Sequence, residues 1–153
     1  MKRLFCVGLG ALAVVLLAAA SEQEKTEDKA KTSRTLKVKL NYTGTGKVDD
    51  KHQIFVFLFD SPDFMQGTVM PFAMKPASAK DETVTLAEIA VSPVYVTTVY
   101  DPNGAYDGQS GPPPSGSSMG MYSKTPGTPE PVTMEPGKTA AIELPFDDSA
   151  KMP

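Results

Sequence analysis

The sequence has one cysteine, Cys6, one histidine, His52, and no tryptophan. Because Cys6 lies in an apolar N-terminal run, the rest of the chain can form no disulfide and offers no thiolate nucleophile or cysteine-based zinc site. The paired carboxylates of a glycosidase need a cleft flanked by aromatic side chains, and a chain without tryptophan offers no such sugar platform. These absences argue against a disulfide-stabilised domain, a cysteine enzyme and a glycosidase.

The sequence also lacks a recognisable catalytic set. A serine hydrolase of the nucleophile-elbow type needs the spacing G-x-S-x-G, which neither GQSG nor PSGSSMG provides. His52 follows Lys51 at the start of a predicted strand, and Asp50 is too close to it in the chain to orient it as a base. With no nucleophile, base or metal set in view, we predict that the protein is not an enzyme.

The N-terminus has the layout of a secretory signal peptide. Lys2 and Arg3 precede an apolar run, Leu4–Leu17, and small alanines follow up to Ala20. We predict cleavage after Ala20, which places the protein in the periplasm or outside the cell. An uncleaved membrane anchor is the alternative, since Leu4–Ala20 reaches only the lower limit of roughly 17–25 residues for a spanning helix. The only cysteine lies within the run, which excludes a lipoprotein cleaved before a cysteine.

Cleavage would leave 133 residues with 13 basic and 18 acidic side chains, a net charge of −5. This acidic balance argues against nucleic acid as a partner, and no further apolar stretch predicts a transmembrane span in the mature chain. Residues 21–34 are rich in charge and poor in apolar side chains, so they predict a disordered tether. We expect one domain over residues 35–148 and a short C-terminal tail, 149–153.

Most of the mature chain alternates with the period of two that indicates β-strands. Leu36, Val38, Leu40 and Tyr42 alternate with polar residues, whereas Gln53–Asp60 is apolar on both faces, as in a central strand covered on each side. The other predicted strands are Thr83–Val91, Pro93–Asp101, Met119–Lys124, Glu130–Met134 and Thr139–Phe146. About seven short strands predict an all-β fold, a single antiparallel β-sandwich. The sequence EPGK before the last of them predicts a type II turn.

Four stretches carry a resemblance to a known family: HQIFVFLFD, PVYVTTVYDPNG, GPPPSGSSMGMYS and EPGKTAAIELPF. Over residues 35–148 this pattern resembles the transthyretin-like, carboxypeptidase regulatory-like β-sandwich domains of exported bacterial proteins. The resemblance implies a non-enzymatic module. Such modules accompany a catalytic or receptor domain, whereas here we expect the β-sandwich to be the only domain of the chain.

Two long segments, 61–82 and 102–118, contain no predicted strand. Long irregular loops in a compact domain are usually functional or mobile. Phe55, Phe57 and Phe59 share one face of the central strand. If 61–82 leaves that face uncovered, the resulting apolar patch would mark a partner site.

The second segment follows Asp101 and offers a candidate calcium site. Asp101, Asn103 and Asp107 place oxygen ligands at positions 1, 3 and 7, but calcium takes about 6–8 oxygens, so Asp60 or Asp147 would have to join them. The simpler alternative is structural, since Asp-Pro-Asn-Gly suits a type I turn at every position. A structural turn predicts that Asp101 and Asn103 bind backbone N–H groups with their side chains.

Methionines offer a second candidate metal site, because thioethers are soft donors that select Cu(I). Met119 and Met121 share one face of a predicted strand, and a Cu(I) site requires that they converge with Met70 or Met74. The alternative is that these side chains fill irregular gaps under loops.

Taken together, these patterns predict an exported, non-catalytic binding or structural module of the bacterial envelope that acts through its two long loops. Its partner is expected to be another envelope protein or a surface ligand. The alternative is a periplasmic metal-binding protein, with calcium at the Asp101–Asp107 loop or Cu(I) at the methionines. No other cofactor is predicted.

Overall fold

Seven β-strands form the domain in the computed structural model, which describes residues 32–153. The predicted signal peptide and nearly all of the predicted tether lie outside the described residues. A short 3₁₀ helix, Pro62–Gln66, follows the second strand. The strands are β1 (Arg34–Tyr42), β2 (Ile54–Phe59), β3 (Ala73–Ala77), β4 (Thr83–Ile89), β5 (Tyr95–Tyr100), β6 (Ser118–Met121) and β7 (Thr139–Phe146).

The strands form two sheets, with the orders β4-β1-β7 and β3-β2-β5-β6. This arrangement confirms the predicted all-β, two-sheet class. The prediction of a purely antiparallel sandwich was wrong, because β1 and β7 pair in parallel from Thr35↔Thr139 to Tyr42↔Phe146. A parallel pair needs a long crossover connection, and here residues 43–138 supply it. The alternation of single strands cannot reveal this, since it is the same for both pairing directions.

The main core lies between the two sheets. In β1, Leu36, Val38 and Leu40 are fully buried, while the intervening Lys37 and Lys39 are exposed. Each buried leucine contributes about 2 kcal/mol of apolar transfer free energy. The predicted alternation of β1 is confirmed, and it assigns one face of the smaller sheet to the core and the other to solvent.

A second apolar cluster lies on the outer face of the larger sheet. It consists of Phe55, Phe57, Phe59 and Val99, each at most 8% exposed, and we call it the outer-face cluster. Phe64 stacks on Phe59 with ring centroids 4.6 Å apart, and Tyr106 meets Phe55 edge-on at 5.2 Å. The cover comes from both long segments, and Met152 adds to it. The prediction that β2 is covered on both sides is confirmed, and its phenylalanines form no exposed patch.

One predicted strand is replaced by another. Glu130–Met134 forms only an isolated bridge, Val94↔Val132, because Pro131 cannot donate to a ladder. Instead β3, which lies inside the segment predicted to be a long loop, pairs with β2 from Ile54↔Ala77 to Leu58↔Ala73. Its Pro76 is tolerated because β3 is an edge strand.

The C-terminal residues complete the other edge of the larger sheet. The Met119 N–H donates to the Ala150 carbonyl at 2.9 Å, and the Met152 N–H donates to the Ser117 carbonyl at 2.8 Å. Residues 149–153, predicted to be a tail beyond the domain, thus pair with β6. This pairing satisfies backbone groups that would otherwise be free at a sheet edge.

The predicted turn before β7 is confirmed. The Lys138 N–H donates to the Glu135 carbonyl at 3.1 Å, which closes the four-residue turn. Gly137 has a φ of 71°, the left-handed conformation that a type II turn requires at its third position.

Candidate functional site

The sandwich has two different ends. The C-terminal ends of β1, β5 and β7 meet at one of them, where the Tyr42 ring lies 4.9 Å from that of Tyr100 and 4.8 Å from that of Phe146. We call this the tyrosine end. Because β2 is antiparallel to β5, Phe59 pairs with Tyr95 at the opposite end. We call that the loop end.

This topology decides whether the acids that follow three strands can gather. Asp101 and Asp147 follow β5 and β7 at the tyrosine end, whereas Asp60 follows β2 at the loop end. The length of β5, roughly 20 Å for six residues, separates the two groups. Asp60 is therefore not available as a further ligand for a calcium ion at Asp101.

Asp101 is almost completely buried, at 2% exposure, and acts as a structural acceptor. Its Oδ1 accepts from the Asn103 N–H at 2.9 Å, and its Oδ2 accepts from the Ala105 and Tyr106 N–H groups at 2.8 and 3.1 Å. The Gly104 N–H also donates to the Asp101 carbonyl at 3.2 Å. For Asp101, this is the bonding expected of a structural turn. Asn103, by contrast, contributes its backbone N–H to Asp101, and its side chain is exposed.

Asp107 closes a second turn in the same loop. Its Oδ1 accepts from the Gln109 and Ser110 N–H groups, each at 2.8 Å, and its Oδ2 accepts from the Ser110 hydroxyl at 2.6 Å. The Ser110 hydroxyl, with these N–H groups, lowers the pKa of Asp107 to about 2.

The described residues contain no group of three or more histidine, cysteine, aspartate or glutamate side chains that could hold a metal ion. The carboxylates of Asp101 and Asp107 are each used within their own turn. Calcium binding to Asp101, Asn103 and Asp107 stays a prediction, and this geometry does not favour it.

The candidate copper ligands are divided between the two edges of the larger sheet. Met74 lies on β3 and packs against the outer-face cluster, whereas Met119 and Met121 lie on β6. Two strands separate these edges, which puts them about 14 Å apart. Met70 is 78% exposed. The expected convergence of Met119 and Met121 with Met74 is therefore not present, and a different methionine, Met65, lines one groove with them.

His52 pairs with a carboxylate, but with Asp49 rather than with the adjacent Asp50. The His52 Nδ1 lies 2.9 Å from the Asp49 Oδ1, which also accepts from the Lys51 and His52 backbone N–H groups. The Lys47 ammonium at 2.9 Å and the His52 ring lower the pKa of Asp49 well below its usual range. These bonds fold residues 47–52 into a turn.

A polar network at the tyrosine end was not foreseen from the sequence. The Asp148 Oδ1 accepts from the Tyr42 hydroxyl and the Ser118 hydroxyl, each at 2.6 Å, and its Oδ2 accepts from the Thr45 N–H at 2.9 Å. Lys151 donates to the Ser118 hydroxyl at 2.8 Å. The network ties the end of β1, the start of β6 and the C-terminal residues together.

The electrostatics of this network follow from its bonding. The Ser118 and Tyr42 hydroxyls hold the pKa of Asp148 well below its usual range. Burial, together with the hydrogen bond to Asp148, raises the pKa of Tyr42 to about 12. Ser118 is fully buried, so the nearby Lys151 does not make it a nucleophile that a substrate can reach. Asp148 was recognisable as an acid after a strand, but its partners Ser118 and Tyr42 lie 30 and 106 positions away.

Exposed apolar side chains are concentrated at the loop end. The large hydrophobic residues with the greatest exposure in the described chain are Met70 at 78%, Met65 at 54%, Phe72 at 43% and Val91 at 39%. The first three belong to residues 65–72, between β2 and β3, and Val91 follows β4, whose Ile89 pairs with Arg34 at the same end. We call Met65, Met70 and Phe72 the apolar loop surface.

Comparison with protein-family models, with curated proteins and with solved structures found no match for this chain. The resemblance to transthyretin-like domains therefore stays a prediction. Within residues 32–153, no helix has the length and apolar character needed to cross a membrane.

Proposed function

We propose that this protein is an exported, non-catalytic binding module of the bacterial envelope that binds a partner through the apolar loop surface. The observation that carries the proposal is the concentration of exposed Met65, Met70 and Phe72 within residues 65–72. Methionine and aromatic side chains are enriched in the buried centres of protein interfaces. Exposed apolar side chains that are grouped on one loop are the kind of surface that marks a site of interaction.

The segment that carries this surface is held to the domain on both sides. This favours a binding surface over a loop that is exposed only because it is mobile. Phe64, one residue before Met65, stacks on Phe59 of the outer-face cluster. At the other side, the Phe72 N–H donates to the Leu58 carbonyl at 3.0 Å, and β3 begins at the next residue. The exposed side chains are thus presented from a segment that is anchored before and after them.

The second long segment contributes differently. Tyr106 packs inward on Phe55, and Asp101 and Asp107 are occupied by the turns of their own loop. In this proposal residues 102–118 hold the outer face in place, and residues 61–72 make the contact. A partner with an apolar groove, another envelope protein or a surface ligand, is the kind that such a surface fits.

The binding role is tested by site-specific photo-crosslinking in cells that express the full-length chain. A photoreactive residue at position 70 should give a discrete cross-linked product. The same residue at Lys37, on the solvent face of the smaller sheet, should give none. With the captured partner purified, Met70→Ser/Phe72→Ser should weaken binding by roughly tenfold or more, about 1.4 kcal/mol. Equal products from both positions, or an equal loss in Lys37→Ser/Lys39→Ser, would contradict the proposal.

The export role has a separate test. N-terminal sequencing of the protein recovered from the periplasm or the medium should begin at Ser21. The layout of Lys2, Arg3 and the apolar run Leu4–Leu17 supports this expectation. A chain that stays in the cytoplasm with its first residues intact would refute export.

A further inference from the structure

One groove in the domain brings methionines together. Its volume is about 520 Å³, and Met65, Met119 and Met121 contribute to its lining, together with Pro145 and Ala150. These three methionines come from the 3₁₀ helix and from β6, which are more than fifty positions apart in the chain. Only the tertiary fold places them along the same groove.

The strand register places two of the methionines on the outer face of the larger sheet. Met119 pairs with Val99 and Met121 with Thr97, and directly opposed residues of antiparallel strands point to the same face. Val99 belongs to the outer-face cluster, so Met119 and Met121 lie on that side as well. They are two residues apart, a separation of about 7 Å along the strand.

Met65 lies on the same side of the larger sheet because the preceding residue, Phe64, stacks on Phe59. Phe64 lies against Phe59 of the outer-face cluster with a centroid distance of 4.6 Å. Met65 follows directly and remains 54% exposed, while Met119 and Met121 are half-buried. A methionine used only as core filler would be covered by its neighbours. Met65 instead borders an open groove that Met119 and Met121 also line.

We propose that Met65, Met119 and Met121 form a binding site for a soft monovalent metal ion, Cu(I). Three thioether sulfurs are a donor set that selects Cu(I) over zinc, calcium or magnesium, which take nitrogen, oxygen or thiolate ligands. Methionine side chains have three rotatable bonds, so their sulfurs can adjust their positions around an ion within the groove. His52 lies in the Asp49 turn near Gly104, at the tyrosine end, and takes no part in the site.

The test is a Cu(I) titration of protein produced from the full-length sequence, with ascorbate as reductant and the chromophoric chelator bicinchoninate as competitor. The wild-type protein should withdraw a single Cu(I) ion per chain from the chelator. Met119→Leu/Met121→Leu should lower the affinity for Cu(I) by roughly 100-fold. This assumes that each lost thioether costs about tenfold, which corresponds to about 1.4 kcal/mol. The matched control, Met70→Leu/Met74→Leu, removes two methionines outside the groove and should bind as the wild type does.

A second readout identifies the ligands directly. X-ray absorption at the copper edge should show a first shell of sulfur alone in the wild-type protein, and Met65→Leu should reduce the number of sulfur neighbours. Leucine conserves the volume of methionine, so circular dichroism should show that every variant is folded. Failure of the wild type to compete for Cu(I), an equal loss in both double variants, or nitrogen in the first shell would overturn the site. Met65 belongs to both the groove and the apolar loop surface, but the copper titration changes Met119 and Met121 and the partner-binding test changes Met70 and Phe72. The failure of one proposal can therefore be told from the failure of the other.

Discussion

The two ends of the sandwich differ in whether their side chains are already bonded within the protein. At the tyrosine end, the Tyr42 and Tyr100 rings pack together, and the carboxylates of Asp101 and Asp148 are occupied by hydrogen bonds from the protein. At the loop end, Met70 and Phe72 are exposed in the stretch between β2 and β3. The polar loop that follows Asp101 thus stabilises the fold, whereas the apolar residues 65–72 keep side chains exposed that a partner can contact.

The difference shows that residue type alone is a poor indicator of a binding site. A better indicator is the hydrogen-bonding capacity or exposed apolar area that a side chain still has in the folded protein. A buried carboxylate that accepts several backbone N–H bonds has little capacity left for a ligand. An apolar side chain at half exposure still has apolar area that a partner can bury. The following three experiments test the contrast, beginning with the largest expected effect.

The cover over the outer-face cluster is tested by Phe57→Ala. Phe57 is 4% exposed, so we expect a loss of about 3–5 kcal/mol in the free energy of unfolding, from lost transfer energy and the cavity left behind. Phe72→Ala, at a site that is 43% exposed, should cost less than about 1 kcal/mol. Urea denaturation of both variants measures the difference. Similar losses in the two would mean that the long segments do not cover the sheet as described.

The structural role of the Asp101 turn is tested by Asp101→Ala. The change leaves three backbone N–H groups without their acceptor, and we expect a loss of about 2–3 kcal/mol in the free energy of unfolding. Asn103→Ala, which removes an exposed side chain from the same turn, should stay within about 0.5 kcal/mol of the wild type. Addition of calcium should leave the thermal midpoint of the wild type unchanged. A calcium-dependent rise that Asp101→Ala abolishes would make the loop a calcium site.

The Asp148 network should give the smallest effect, seen as a pH dependence. The pKa of Asp148 is lower in the folded protein than in the unfolded chain, so the unfolded state binds more protons in acid. The stabilisation is present above the ordinary carboxyl pKa of about 3.9 and is lost as the pH falls below it. Between about pH 5 and pH 2, Asp148→Asn should therefore lose less stability than the wild type, and Asp50→Asn, outside the network, serves as control. Parallel curves for wild type and Asp148→Asn would show that the network does not stabilise the folded state.

Much of the fold was predictable where one strand carries its own signal. The alternation of Leu36, Val38 and Leu40 predicted the buried face of β1, and the unbroken apolar run of β2 predicted its cover on both sides. β3 escaped prediction because its sequence, AMKPA, has an exposed lysine and a proline that only an edge strand tolerates. The parallel pairing of β1 with β7 escaped because it depends on a partner more than ninety residues away.

The candidate sites show the same division. The turn at Asp101 was an explicit alternative in the sequence, because the signal of Asp-Pro-Asn-Gly is local. That Met65, rather than Met74, lines a groove with Met119 and Met121 depended on which strands lie between the two sheet edges. The exposed state of Phe72 was also not predictable, since Phe64 in the same segment packs inward on Phe59.

The sequence by itself determined the all-β class, the buried face of β1 and the turns at Asp101 and Gly137, because period-two alternation and turn chemistry act over a few residues. Tertiary structure alone decided the parallel β1–β7 pair, the pairing of the C-terminal residues with β6, the Asp148 network and the methionine groove. These features join residues that are far apart in the chain, and their geometry exists only after the two sheets have packed.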